Sequence, residues 1–169
     1  PTSSVREISK KLNSFIKKNQ IIVNTAKGLE SGSLLRMSEV ISSEMSSFNN
    51  IVSLYGPSHA EEVIDKQPAT LVSASDDLDI AKKVQSIFSS DNLRVYTNQD
   101  IIGVELGGSL KNVIAIATGI CDGIGFGDNT KAALLTRGMA EIIRLGEKMG
   151  ANPSTFSGLS GVGDLIATC

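Results

Sequence analysis

Lys111 and Asn112 interrupt a segment that is otherwise apolar or small, with Gly107 and Gly108 before them and Val113, Ile114 and Ile116 after. Apolar surroundings disfavour a charged ammonium. A lysine held among such groups is prepared to pass a proton to and fro near neutrality, the task of a general acid or base. The competing arrangement is a side chain that runs along the helix and leaves its charge in water. Asp164 lies between glycines and an apolar run, in Gly161-Val162-Gly163-Asp164-Leu165. It can orient a ligand hydroxyl, pair with Lys111, or merely cap a helix. Two loops follow β-branched runs: Thr25-Ala26-Lys27-Gly28 after Ile21-Ile22-Val23, and Gly56-Pro57-Ser58 after the run from Ile51 to Leu54. Open α/β sheets take their ligands beyond the carboxyl ends of such strands. Lys27 offers a point charge for a phosphate or carboxylate. Ser58 offers a hydroxyl at a helix N-terminus, where amides favour anions. Gly28 and Gly56 permit close approach of backbone to a ligand. The plainer alternatives are an exposed loop lysine and a simple cap.

Other chemistries find no support. The chain has two cysteines, Cys121 and Cys169, and one histidine, so a Cys/His zinc site is not expected. No metal role falls to His59, and no Walker loop or nucleophile elbow is present. Gly123-Ile124-Gly125-Phe126-Gly127 is glycine-rich but lies between helical segments, so it is not a dinucleotide fingerprint. A net charge of −2 gives no general attraction to nucleic acid or to an anionic membrane. Lys10, Lys11, Lys17 and Lys18 read as a solvated helix face. The longest apolar stretch, Val113 to Ile120, is too short for a bilayer and is flanked by Lys111, Asn112 and Asp122. The polar N-terminus is unlike a signal peptide, and the sparse cysteines fit a reducing cytoplasm. A start at Pro1 and a stop at Cys169, just after an apolar run, suggest a piece of a longer chain.

These residues need elements to position them. With 41% hydrophobic and 20% charged residues, the composition is that of an ordinary globular protein. Val5, Ile8, Leu12, Phe15 and Ile16 recur at helical spacing, with Ser4 and Glu7 spaced as a capping box. Leu34, Leu35, Val40, Ile41 and Met45 suggest another helix, and Ser58 with Glu61 a further capping box. Asp77 should open a helix through Phe88. Strands are expected at 21–23, 51–54, 69–74 and 93–96. Such alternation predicts a parallel α/β sheet with right-handed crossovers. After Asn98 the pattern becomes helical. One helix is expected from Ile101 to Ile120, and a second is capped by Asp128 and ended by Gly150, with Pro153 beyond.

The segments Asn24-Thr25-Ala26-Lys27-Gly28-Leu29-Glu30, Gly56-Pro57-Ser58-His59-Ala60-Glu61 and Gly107-Gly108-Ser109-Leu110-Lys111-Asn112 resemble those of the bacterial NAD(P)-dependent glycerol-3-phosphate dehydrogenases. So do Gly127-Asp128-Asn129-Thr130-Lys131-Ala132-Ala133 and Gly163-Asp164-Leu165-Ile166-Ala167-Thr168-Cys169. Each motif alone is weak, but their shared order and spacing are specific. The resemblance implies a Rossmann-like α/β fold over residues 1–100, the later part of an NAD(P)-binding domain. Residues 101–169 would then begin an all-α substrate domain. It also implies reduction of dihydroxyacetone phosphate to sn-glycerol 3-phosphate, the phospholipid backbone, by NADH or NADPH. Lys111 would handle the proton. Lys27 would touch both cofactor and substrate; Gly56, Ser58, Asn112, Asp164 and Thr168 would line the substrate site; Ala60 would touch the cofactor. A homodimer in the cytoplasm is the form the family suggests, with no metal.

Two family features are missing from the sequence. The glycine-rich fingerprint belongs before Pro1, and an Arg-Asn pair that grips the substrate phosphate belongs after Cys169. The 169 residues alone are therefore expected to turn over little substrate. Two alternatives stay open on the residues: a related two-domain hydroxy-acid dehydrogenase, and a non-catalytic module that keeps the fold only.

Overall fold

The computed structural model describes residues 1–45, 48 and 50–169. The β-branched runs become four strands: β1 (Ile22–Asn24), β2 (Ile51–Tyr55), β3 (Ala69–Ala74) and β4 (Leu93–Asn98). They lie side by side in chain order. The pairs β1–β2 and β3–β4 are parallel, but β2–β3 is antiparallel. The expected all-parallel sheet is thus corrected to a mixed one, within a Rossmann-like α/β architecture. The cause is the connection between β2 and β3. A parallel return needs a crossover helix long enough to bring the chain back to its starting edge. Helix α1 (Val5–Leu12) and helix α2 (Met37–Glu44) precede β2, and the β2–β3 connection holds only α3 (Ala60–Ile64), none of whose residues is buried. Five helical residues rise about 7.5 Å, against about 17 Å for a five-residue strand. The chain reverses instead.

The sheet alternates as a two-faced layer should. Val52 and Leu54 face α4 (Leu78–Phe88), packing with Ile80, Val84, Leu71 and Val95. Asp77 caps that helix as expected, accepting from the backbone N–H groups of Asp79 and Ile80. The alternate residues of β2 face the other way. Ile51 packs with Ile41, Met45 and Phe48, and Tyr55 packs with Val72, Ala74, Ile101 and Val104. Local starts differ from expectation where tertiary contacts decide. Ser4 makes no cap hydrogen bond, and Glu7 pairs with Lys11 instead. Leu34 is exposed at a positive φ of 58°, so the helix after it begins only at Met37. Ser58 does not cap α3; His59 takes that place.

Helix α5 (Ile101–Gly123) lies against the sheet by its first half and against α6 (Asp128–Lys148) beyond it. Leu106, Ile142, Ala151 and Phe156 form the core between these helices. By length and composition α5 could cross a membrane, but half of its most apolar window is buried, as in the core helix of a folded unit. After α6 come a 3₁₀ turn (Pro153–Ser157), a π-turn (Leu159–Gly163) and the single-turn helix α7 (Asp164–Ile166).

The reversal at β3 fixes where α5 starts. Because β4 is parallel to β3, it delivers the chain to the end of the sheet opposite the carboxyl ends of β1 and β2. Helix α5 must therefore run back along β2. The ten steps from Ile101 to Lys111 rise about 15 Å, nearly the length of that strand. This travel brings Lys111 level with the loops after β1 and β2.

Candidate active site

Three segments distant in sequence converge there. The loop after β1 supplies Lys27, α5 supplies Lys111, and α7 supplies Asp164. Lys27 Nζ donates to Asp164 Oδ2 at 2.6 Å and to the Gly56 carbonyl at 3.0 Å. Lys111 Nζ donates to Asp164 Oδ1 at 2.9 Å and to Thr168 Oγ1 at 2.5 Å. The Thr168 hydroxyl in turn donates to the Asp164 carbonyl at 2.7 Å. One carboxylate is shared, oxygen by oxygen, between two ammonium groups. The Lys111 and Asp164 side chains are 9% and 5% exposed, whereas Lys27 is 29% exposed, so the cluster opens to solvent on the Lys27 side. Lys111 does not snorkel. Its head is buried, but among oxygen atoms rather than the aliphatic groups expected.

Each side chain is held by local structure. Tyr55, fully buried at the end of β2, donates to the Ala26 carbonyl at 2.6 Å and accepts from Asn24 Nδ2 at 3.1 Å. Burial pushes its phenol above the ordinary value, and the nearby Glu105 charge adds to this. The hydroxyl therefore stays a neutral donor. Its ring lies under Lys27, with Nζ 5.9 Å from the centroid. Helix α5 must come very close to this ring, and Gly108 allows it: a Cβ there would meet Tyr55 Cδ2 at 2.8 Å. Ser109 then ties helix to loop, accepting from Gly28 N–H at 3.0 Å and donating to the Glu105 carbonyl at 2.6 Å. Asp164 is aimed by the π-turn, in which Gly163 N–H donates to the Gly158 carbonyl at 3.1 Å. Such turns recur at functional sites.

The expected residues divide into two groups. Lys27, Gly56, Lys111, Asp164 and Thr168 come together. Gly56 contributes its carbonyl oxygen. Its φ of 144° and its contact with β3, where a Cβ would meet the Thr70 carbonyl at 2.8 Å, tie its glycine identity to packing of the sheet. Asn112, Ser58 and Ala60 are exposed around the cluster. Among the described residues the side chains of Asn112 and Ser58 make no hydrogen bond. His59, which suggested no role in the sequence, donates from Nε2 to the Ala167 carbonyl at 3.0 Å, joining the loop after β2 to the segment that carries Thr168.

Sequence reasoning missed Glu105. It is 1% exposed and accepts from Arg36 Nη1 at 2.7 Å, Ser38 N–H at 2.9 Å, Ser38 Oγ at 2.6 Å and Ser53 Oγ at 2.8 Å. The available signal was the one that marked Lys111, a charge inside an apolar helical run, Val104-Glu105-Leu106.

Comparison with known proteins places this geometry. The glycerol-3-phosphate dehydrogenase [NAD(P)+] of Bacillus subtilis is 56% identical over 171 residues, covering 100% of this chain and 50% of the relative. That of Clostridium perfringens is 56% identical over 169 residues, covering 100% and 51%. The chain spans about half the length of the curated relatives it matches. The crystal structure of glycerol-3-phosphate dehydrogenase from Coxiella burnetii superposes with a TM-score of 0.93 at 39% identity, over 100% of this chain and 51% of that one. The Saccharomyces cerevisiae enzyme gives 0.86 at 26% identity, over 98% and 50%. Family models for the N-terminus and the C-terminus of NAD-dependent glycerol-3-phosphate dehydrogenase match residues 1–81 and 100–169. The chain belongs to the NAD-dependent glycerol-3-phosphate dehydrogenase family.

Proposed function

We propose that this chain is the middle of an NAD(P)-dependent glycerol-3-phosphate dehydrogenase that interconverts dihydroxyacetone phosphate and sn-glycerol 3-phosphate. The observation that carries this reading is the sharing of the Asp164 carboxylate by Lys27 and Lys111. Two cations on one anion leave a net positive charge where the cluster meets solvent. An anionic substrate, and the charge that develops on its oxygen, would be favoured there.

In this reading residues 1–100 complete the cofactor domain and residues 101–169 begin the substrate domain. The donor set fits a nicotinamide cofactor: a half-exposed cation, Lys27, and the exposed Ala60 lie at the carboxyl ends of the parallel pair β1–β2. Lys27 and Ala60 would hold the cofactor, which supplies the hydride when bound. Gly56, Ser58, Asn112, Asp164 and Thr168 would line the substrate site with Lys27. Reduction at the carbonyl carbon puts negative charge on the carbonyl oxygen. Lys111 would stabilise that charge and then supply the proton from Nζ. In the reverse direction neutral Lys111 would take the hydroxyl proton. Asp164 and Thr168 aim Nζ in either case. The parent protein would work as a cytoplasmic homodimer feeding phospholipid synthesis.

The test is an absorbance assay on the full-length protein with NADH and with NADPH, against dihydroxyacetone phosphate and a panel of oxo acids. Turnover confined to an oxo acid would point to a related hydroxy-acid dehydrogenase, and none at all to a binding module. The same assay on residues 1–169 alone should give little or no turnover.

A further inference from the structure

The geometry points to Glu105 as a positioning residue for Lys111, an inference that rests on the catalytic reading of Lys111. Glu105 lies six residues before Lys111 on α5, about 9 Å along the helix axis. Its two oxygens take hydrogen bonds from α2, from β2 and from Arg36, the residue that caps α2. Arg36 also pairs with Glu39 and is 8% exposed. The clasp therefore joins α5 to the middle of β2, at Ser53, and to the start of α2.

Away from the Lys111 cluster, the other polar contacts of α5 are part-buried or exposed: Ser109 accepts from Gly28 N–H at 3.0 Å, and Asp100 at its N-cap accepts from Asn152 N–H at 2.9 Å and Thr155 Oγ1 at 2.6 Å, whereas the Glu105 side chain is fully buried. Gly107 and Gly108 bring it close to the π-turn and to Tyr55, where a Cβ would meet the Ser160 carbonyl at 2.7 Å and Tyr55 Cδ2 at 2.8 Å. Smooth, close packing limits how near the helix comes but resists sliding weakly. Hydrogen bonds to a buried carboxylate are directional and short. A slip of one residue would move Lys111 by about 1.5 Å, enough to break its 2.9 Å bond to Asp164. Buried ion pairs are better attested as devices that select one arrangement than as net stabilisers. The clasp sets the register of α5, and so the height at which Nζ meets the substrate.

The test uses the cofactor-loaded full-length protein and compares Glu105→Gln with the double variant Arg36→Met/Glu105→Met. Glu105→Gln should lower both Tm and kcat. Removing the whole pair should restore most of Tm, because no buried charge is left alone. If Glu105 positions Lys111, kcat of the double variant stays down by at least about tenfold, the scale that ångström misplacement carries. KM for dihydroxyacetone phosphate should stay within about twofold. Recovery of kcat together with Tm would overturn the proposal. Should the double variant not fold, Ser53→Ala removes one donor and leaves the pair; kcat should fall two- to threefold, and an unchanged kcat would overturn the proposal. A wild-type protein without turnover would defeat the functional reading instead. The register claim is then decided by a crystal structure of Glu105→Gln, which must place Lys111 Nζ out of hydrogen-bond reach of Asp164.

Discussion

Two buried ionic clusters on opposite plans lie along α5, one meeting β2 at Ser53 and the other meeting the loop after β2 at Gly56. In the first, Glu105 faces one guanidinium and three neutral donors and is itself 1% exposed. In the second, Asp164 faces two ammonium groups, one of them part-exposed. The first cluster sets one guanidinium between two carboxylates, Glu105 and the part-exposed Glu39, and has no excess of positive charge. The second carries an excess of positive charge and opens on the side where that excess lies. The contrast separates a clasp from a binding site more clearly than burial does, since Glu105, Lys111 and Asp164 are all buried.

The sharpest way to break the comparison is at the open cluster. Lys111→Ala in the full-length protein should cut kcat by about 10²–10⁴-fold while the cofactor still binds. Steady-state kinetics with a cofactor-fluorescence titration would measure both, and retained turnover would remove Lys111 from the chemistry. Gly108→Ala tests whether the open cluster depends on the approach of α5 to Tyr55. The added methyl should cost about 1–3 kcal/mol of stability, read by thermal unfolding, and lower kcat too. Inorganic phosphate sharpens the charge argument. At about ten times its Kd it should stabilise the protein by about 1.4 kcal/mol, and the double variant Lys27→Ala/Lys111→Ala should lose that gain. Equal stabilisation of the double variant would place the anion elsewhere.

The smallest effect concerns a surface group outside both clusters. Hydrogen bonds from Arg6 first and Ser33 second lower the Glu30 carboxyl to about 2, with the Arg6 charge adding to them. A depressed carboxyl stabilises the fold fully above its unfolded value near 4.5, and that stability is lost as pH falls toward 2. Arg6→Ala should flatten this part of the acid-unfolding curve slightly and leave the response to phosphate untouched.

Much of this was legible in the sequence because local chemistry decides it. The strand at Ala69–Ala74 and the cap at Asp77 need only β-branched runs and a short polar side chain. Lys111 stood out because a charge in an apolar helix needs a reason. The direction of β3 was not legible, since it turns on how little of the β2–β3 connection becomes helix and packs on the sheet. Nor was the Arg36–Glu105 clasp, because its partners are 69 residues apart and no local pattern links them. The pairing of Asp164 with Lys111 could be entertained, but the share taken by Lys27 depends on the reversed sheet bringing α5 back along β2.

The bond between Lys27 and Asp164 spans 137 residues, and that between His59 and the Ala167 carbonyl spans 108. Closing loops of this length costs entropy before the contacts return anything, so they tend to form late. During synthesis the sheet and α5 emerge well before α7. The cluster of Lys27, Lys111 and Asp164 is therefore a late product of folding, and its formation would report that the chain has reached its native state.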